Sequence, residues 1–394
     1  MRASTLTAIA FALVMLDGYD MLLVSFVAPL VAEDLRFDAR ELGTLFASGL
    51  AGSMLGSMVF GAVADRFGRR PVLVGSMVAA GLATLACSQA AGSQAFVLMR
   101  FVSGMALGGA LAAVIPLAAE SLPQERRSAR VTAMFVGYPL GAVIGGAITT
   151  ALLHFGWRNQ FIGAGILTLM TAPAGLMFRE TLATAHAHGH TGRETGLRRI
   201  LLQLFANGRA VPTLLAAVGI FCLLFVAYLL NSWMPMLSKT AGLGTRIAAL
   251  SAVVVNLGGV AGALLSIRLA RRFGLLRVMV TMFALGSVAV AALGAAFVSP
   301  LVLLIAAFVA GGLVIGGQLN CPAVFVRLYP ESMRAAGVGL QLAAGRFGSI
   351  VGPLAAGQLL AARAEGALVF QIAGAACAVA TVCYALVGAL GSKQ

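Results

Sequence analysis

A chain of 394 residues with 60% hydrophobic and only 10% charged side chains lies far from soluble domains, in which about a quarter of residues are charged. Its mean hydropathy of +0.98 excludes a water-soluble fold. The net charge of +14 does not indicate a nucleic-acid partner, because the basic residues sit in alternate short loops between apolar stretches rather than in one patch.

Apolar stretches of about 20 residues, long enough to cross ~30 Å of hydrocarbon as a helix, recur along the whole chain. Loop breakers divide them into twelve spans near 5–32, 42–64, 72–91, 94–119, 128–154, 157–178, 211–238, 246–270, 275–297, 300–328, 334–362 and 366–391. Backbone polar groups in lipid must pair internally, so an all-α integral membrane fold is expected. Met1 to Thr7 leads directly into the first span, which carries acids, so no cleavable signal peptide is expected.

The first span contains MLDGYDM, with Asp17 and Asp20 three residues apart on one helical face. Asp17 lies about twelve residues, or ~18 Å, into that span, near the bilayer midplane. A carboxylate at that depth is costly and must be partnered or reversibly protonated. The pair is therefore a candidate proton-coupling site, the alternative being a structural polar lock. Between spans two and three, GAVADRFGRRP (61–71) combines Asp65 with Arg66, Arg69 and Arg70. A basic loop alone accounts for the arginines but not for Asp65, which favours a gate held by ion pairs.

Arg100 in span four and Arg346 in span eleven are intramembrane guanidinium groups, permanently charged and able to grip a carboxylate with two parallel hydrogen bonds. Either can balance Asp17 or Asp20, receive an anionic substrate, or form a static buried pair. Arg346 lies at the estimated depth of Asp17, and Arg100 roughly 10 Å nearer the outside. Arg346 is therefore expected to be the more direct contact for a substrate carboxylate. Glu120, Arg127 and Arg334, at the same ends as the 61–71 loop, are assigned to gating with it. Tyr19, Tyr138, Tyr228, Trp233, Asn256, Gln318 and Asn320 are aromatic and amide candidates for lining a substrate cavity, as is Tyr329; each suits packing or interfacial anchoring equally well.

The polar interval Arg179 to Arg209 separates spans six and seven. Domains are thus expected at 1–178 and 211–394, with a cytoplasmic linker at 179–210. Its histidines, His186, His188 and His190, read as incidental residues of a solvated linker, and no metal is expected. Cys87, Cys222, Cys321, Cys377 and Cys383 lie inside apolar runs without metal-ligand spacing and read as small buried hydrophobes.

The halves repeat. GAVADRFGRR (61–70) aligns with IRLARRFGLL (267–276) at an offset of 206, while PQERRSAR (123–130) with PESMRAAG (330–337) and GAVIGG (141–146) with GSIVGP (348–353) align at 207. A pseudo-two-fold axis along the membrane normal and a site near the midplane are expected. Arginines concentrate in the loops that share a side with both termini, so both termini are expected in the cytoplasm of a cell with the chain in its inner membrane.

The loop GAVADRFGRRP resembles the signature loop of the major facilitator superfamily. LDGYDM, LMRFVSGMALGGALAAVIPLAAE, SWMPML, GGQLN and YPESMRAAGVGLQLAAGRFGSIVGP together resemble the aromatic acid:proton symporter family within it. That resemblance implies uptake of benzoate-like anions with protons, and its functional residues fall on Asp17, Asp20, Asp65, Arg100, Glu120, Arg334 and Arg346. Arg271 departs from the pattern, standing where the family has an acid, which places the second-half gate in question. The expected protein is a monomeric, proton-coupled transporter of small aromatic carboxylates, with the bilayer as its surroundings and no cofactor beyond the proton. Proton-driven export of drugs or metabolites is the alternative within transport. An integral-membrane enzyme or sensor is disfavoured because no HExxH, GxSxG or phosphate-loop pattern is present.

Overall fold

The computed structural model describes residues 3–120, 134, 136–178, 204–205, 208–330 and 333–391, and every regular element among them is helical. The chain divides into two compact units, Met1–Gly189 and His190–Gln394. Unit 1 contains α1 (Ala3–Asp34), α2 (Ala39–Phe67), α3 (Arg69–Cys87), α4 (Ser93–Glu120), α5 (Gly137–Ala151) and α6 (Trp157–Thr171). Unit 2 contains α7 (Ala210–Thr240), α8 (Thr245–Phe273), α9 (Leu275–Ala292), α10 (Pro300–Gln318), α11 (Cys321–Leu328), α12 (Arg334–Ala361) and α13 (Gly366–Gly391).

Among the described residues, ten stretches are long and apolar enough to cross a membrane. The fifth and eleventh expected spans are not among them. The described part of α5 is only 15 residues long, and α12 carries Arg334, Arg346 and a run of glycines. Two expected spans change geometry at a proline, while the stretch 275–297 passes at Leu293 into a 3-10 turn that holds none. The stretch 157–178 passes from α6 into a 3-10 turn, Ala172–Met177, at Pro173. The stretch 300–328 breaks between α10 and α11, because Pro322 has no N–H and its ring crowds the carbonyl four residues back, at Gln318.

Each unit pairs its helices in the same way. In unit 1 the first helix packs on the fifth, the second on the fourth and the third on the sixth; in unit 2 α7 packs on α12, α8 on α10 and α9 on α13. Small residues make these crossings possible, since lipid supplies no hydrophobic drive and association depends on close backbone approach. Gly52 and Gly56 of α2 lie against the backbone of α4 at Phe101 and Met105; Gly258 and Gly262 of α8 lie against α10 at Phe308 and Gly312. Gly141 abuts Met15, and its repeat mate Gly348 abuts Phe221. One contact exchanges its partners: Gly18 accommodates Tyr138, whereas Leu224 fills the space left by Gly345.

The one-residue turns between α2 and α3 and between α8 and α9 use Gly68 at φ 104° and Gly274 at φ 89°, a conformation that side chains resist. The sequence repeat is thus a repeat of backbone contacts and of turns. A Cβ at Gly262 would collide with the Gly312 backbone, while one at Gly339 meets open space. Gly262→Val is therefore expected to destabilise the protein by at least ~1–3 kcal/mol, read as a lowered Tm in detergent, and Gly339→Val to change it little.

Candidate functional site

In unit 1 the sequence places two acids in α1 and one arginine in α4, and the fold decides which acid the arginine meets. Asp20 and Arg100 are 0% and 1% exposed. Arg100 Nη1 donates to Asp20 Oδ1 at 2.7 Å, and Nη2 donates to the Asp20 carbonyl oxygen at 3.0 Å. Thr84 Oγ1 of α3 donates to Asp20 Oδ2 at 2.8 Å, and Nη1 also reaches Ser103 Oγ at 3.3 Å. Gly49 of α2 faces the guanidinium, and a Cβ added there would lie 3.5 Å from Nη2, at ordinary contact distance. The ring of Phe161 in α6 lies 5.9 Å from the guanidinium carbon, within cation–π range. Both carboxylate oxygens of Asp20 are satisfied, the condition under which a charge pair persists away from water.

Asp17 lies one helical turn nearer the start of α1 and is 3% exposed. Beyond it, Leu13 and Leu16 pack with Leu73 and Met77 of α3 and with Ala110, Ala113 and Val114 of α4 in one apolar cluster. Along α1, Asp17 thus falls between the Asp20–Arg100 pair and this apolar cluster. Tyr19 turns toward α5, where its ring covers Gly145 and its hydroxyl accepts from Thr149 Oγ1 at 3.3 Å. It borders an apolar cavity of about 860 Å³ between α1, α5 and α6. The structure brings Asp20 and Arg100 together, while the Tyr19 hydroxyl is bonded to α5. Tyr138 is half-buried on α5.

In unit 2 Arg346 is half-buried in α12. Among the described residues no carboxylate lies within ion-pair distance of its guanidinium; its main-chain carbonyl accepts from Ser349 Oγ at 2.7 Å. Trp233 is 1% exposed and donates its indole N–H to the Pro353 carbonyl at 3.0 Å, fastening α7 to α12. Asn256 of α8 donates to Asn231 Oδ1 of α7 at 2.5 Å and to the Ala252 carbonyl at 2.9 Å, forming an amide lock between those helices. Asn320 sits in the break after α10 and donates to Ser266 Oγ of α8 at 2.8 Å. Gln318 and Tyr228 are half-buried; Gln318 Oε1 is buried and has no hydrogen-bond partner among the described residues. Tyr329 is 3% exposed and shares a 2.8 Å hydrogen bond with Thr213 Oγ1.

In the 61–71 loop Asp65 Oδ1 lies 3.5 Å from Arg69 Nη2, Arg66 covers the ring of Phe67, and Arg70 is half-buried at the start of α3. Arg334 is exposed at the first turn of α12. Arg127, the Glu120 side chain and the three linker histidines lie outside the described residues.

Two features escaped the sequence reading. Asn231 is the partner that gives Asn256 its role, and its presence as an amide inside an apolar span was the same signal. The other is a clasp at the far end of α1, where Asp34 accepts from Trp157 Nε1 at 3.0 Å and from Arg158. Arg158 lies 4.3 Å from the Trp157 ring centroid and donates to the Ala90 carbonyl at 3.4 Å. Arg158 and Asp34 lie far apart in sequence, and their pairing depends on three helix ends meeting.

The Major Facilitator Superfamily matches this chain over residues 9–290 and 253–390. A 4-hydroxybenzoate transporter, PcaK, of Acinetobacter baylyi is 32% identical over 374 residues, covering 87% of this chain and 82% of that protein. A gallate transporter of Pseudomonas putida is 30% identical, covering 93% and 87%, and a benzoate transport protein of Acinetobacter baylyi is 26% identical, covering 88% and 81%. In fold, the nucleoside transporter NupG is similar with a TM-score of 0.78 at 16% identity, covering 97% of this chain and 99% of that one. The Escherichia coli xylose transporter XylE in a partially occluded inward-open form gives 0.73 at 17% identity, covering 97% and 98%. Helix pairing repeated in two units, an acid-containing loop after the second helix and a family match through both units lead to one assignment: this chain is a multi-pass membrane protein with the major facilitator fold and belongs to the major facilitator superfamily.

Proposed function

We propose that this protein imports small aromatic carboxylate anions together with protons, by alternating access, across the inner membrane with both termini in the cytoplasm. One observation carries the reading. Of the two intramembrane arginines, Arg100 is committed to Asp20, whereas Arg346 has no carboxylate partner among the described residues. A permanently charged guanidinium within a membrane span is costly without an anion. A substrate carboxylate supplies one, in the bidentate geometry that suits arginine. The names of the relatives (4-hydroxybenzoate, gallate and benzoate transporters) support an aromatic ring beside that carboxylate.

The proton sites are Asp17 and Asp20. Protonating Asp20 would weaken the charge-assisted bond to Arg100, while the bonds from Arg100 to the Asp20 carbonyl and to Ser103 need no charge on the acid. Asp17, on the same face one turn away, is then close enough for its own protonation to respond to that change. Coupling in this scheme runs through unit 1 and substrate charge recognition through unit 2. Asp65 and the arginines around it act on the conformational step, so Asp65→Asn is expected to slow turnover and leave substrate affinity nearly intact.

In proteoliposomes, labelled 4-hydroxybenzoate or benzoate should accumulate under an inward proton gradient and stop accumulating when a protonophore is added. Uptake of neutral sugars or cationic drugs in place of aromatic acids would refute the substrate class. Asp17→Asn should abolish accumulation with little change in Tm. Asp20→Ala leaves the Arg100 charge buried without its partner and should lower stability by about 3–5 kcal/mol. Adding Arg100→Gln to Asp20→Ala should recover part of that loss, and additive losses would mean the pair is not coupled. Arg346→Lys keeps the charge but loses the planar fork and should weaken carboxylate binding about tenfold or more. Arg100→Lys should chiefly disturb proton coupling.

A further inference from the structure

The last two turns of α8 carry Arg268, Arg271 and Arg272, spaced by three and four residues and therefore on one helical face. Arg277 follows in the first turn of α9, across the tight turn at Gly274. All four are exposed, and among the described residues none is paired with a carboxylate. The repeat mate of this corner in unit 1 contains Asp65, which pairs with Arg69 at 3.5 Å; here Arg271 occupies the place of that acid.

The helix dipole accounts for part of this arrangement only. A cation is favourable in the last turn of α8, but Arg277 is at the positive end of α9, where a cation is unfavourable, and like charges three or four residues apart repel. Four arginines are thus gathered where they oppose one another, a strain that a bound anion would relieve. The corner also has an apolar flank. Leu264, Leu265, Ile267 and Phe273 are 56%, 53%, 48% and 52% exposed, and the Arg272 guanidinium lies 5.3 Å from the Phe273 ring centroid. Side chains arranged in this way place charge at headgroup level and hydrocarbon against acyl chains. These apolar side chains face acyl chains in a membrane-spanning helix, so an anion held by the arginines lies beside lipid.

We propose that the α8–α9 corner of unit 2 is a binding site for the phosphate headgroup of an anionic phospholipid, held by Arg268, Arg271, Arg272 and Arg277. The phosphate diester receives forked guanidinium hydrogen bonds, and the acyl chains lie along the exposed leucines of α8. This site is separate from the transport residues, and its occupancy does not depend on which substrate the protein carries.

Native mass spectrometry of the full-length protein, purified and titrated with cardiolipin, phosphatidylglycerol or phosphatidylcholine, tests this site. Wild type should retain the anionic lipids about tenfold more strongly than phosphatidylcholine, and inorganic phosphate should not displace them. The triple variant Arg268→Gln, Arg271→Gln, Arg272→Gln should lose that preference. Arg271→Asp, which restores the unit 1 pattern, should reduce it while conserving the fold, so that a poorly folded triple variant does not leave the test open. Equal retention of phosphatidylcholine, undiminished preference in both variants, or displacement by inorganic phosphate would each overturn the proposal, the last by showing a site for free anions.

Discussion

A charge inside hydrocarbon persists only where an opposite charge or a set of hydrogen bonds meets it, and in the Asp20–Arg100 pair both carboxylate oxygens and both terminal guanidinium nitrogens are met. The rest of the functional reading depends on this pairing. With both Asp20 oxygens satisfied and the guanidinium held against Ser103 and Phe161, α1, α3, α4 and α6 are joined around one buried point. Arg100 cannot at the same time be an open receptor for an anion. The second intramembrane arginine, in a different unit and with no carboxylate partner among the described residues, therefore becomes the candidate for that role.

The two units share their packing and differ in their charge. Glycine-to-backbone contacts recur at the same offsets in both, at Gly52 and Gly258, Gly56 and Gly262, and Gly141 and Gly348. The charges within the helices do not recur. The residues of unit 2 that correspond to Asp17, Asp20 and Arg100 are leucine, valine and alanine, and the residue of unit 1 that corresponds to Arg346 is Pro139. Duplication preserved the crossings that let helices approach in lipid and left the polar groups free to diverge. A proton site in one unit and an anion receptor in the other is the division of labour that this asymmetry permits. The loop after the second helix of each unit shows the same divergence: an acid paired with arginine in the first, arginines alone in the second.

Most of the architecture was legible in sequence because its signals are local. Span length follows from hydropathy, and the pairing of helices follows from the repeat once the glycine positions align. The interruptions at Pro173 and Pro322 were also present as residues, but the twelve-span reading gave hydropathy priority over backbone chemistry. The partner of Arg100 could not be read. Asp17 and Asp20 lie on one face three residues apart, and the choice between them is made by Thr84 of α3, which bonds to Asp20, and Ser103 of α4, which bonds to Arg100, contacts that exist only in the folded unit. The same reason hid the Asn231–Asn256 lock and the Asp34 clasp with Trp157 and Arg158, both of which join residues from separate helices.

Equilibrium binding of 4-hydroxybenzoate and of its uncharged methyl ester to the purified protein tests the role of Arg346 most directly, because the two ligands differ in charge and scarcely in shape. Wild-type protein should bind the acid at least about tenfold more tightly than the ester, and Arg346→Gln should bind the two with similar, weak affinity. Equal affinity for acid and ester in wild type, or an undiminished preference for the acid in Arg346→Gln, would contradict the assignment of Arg346 as the receptor for the substrate carboxylate.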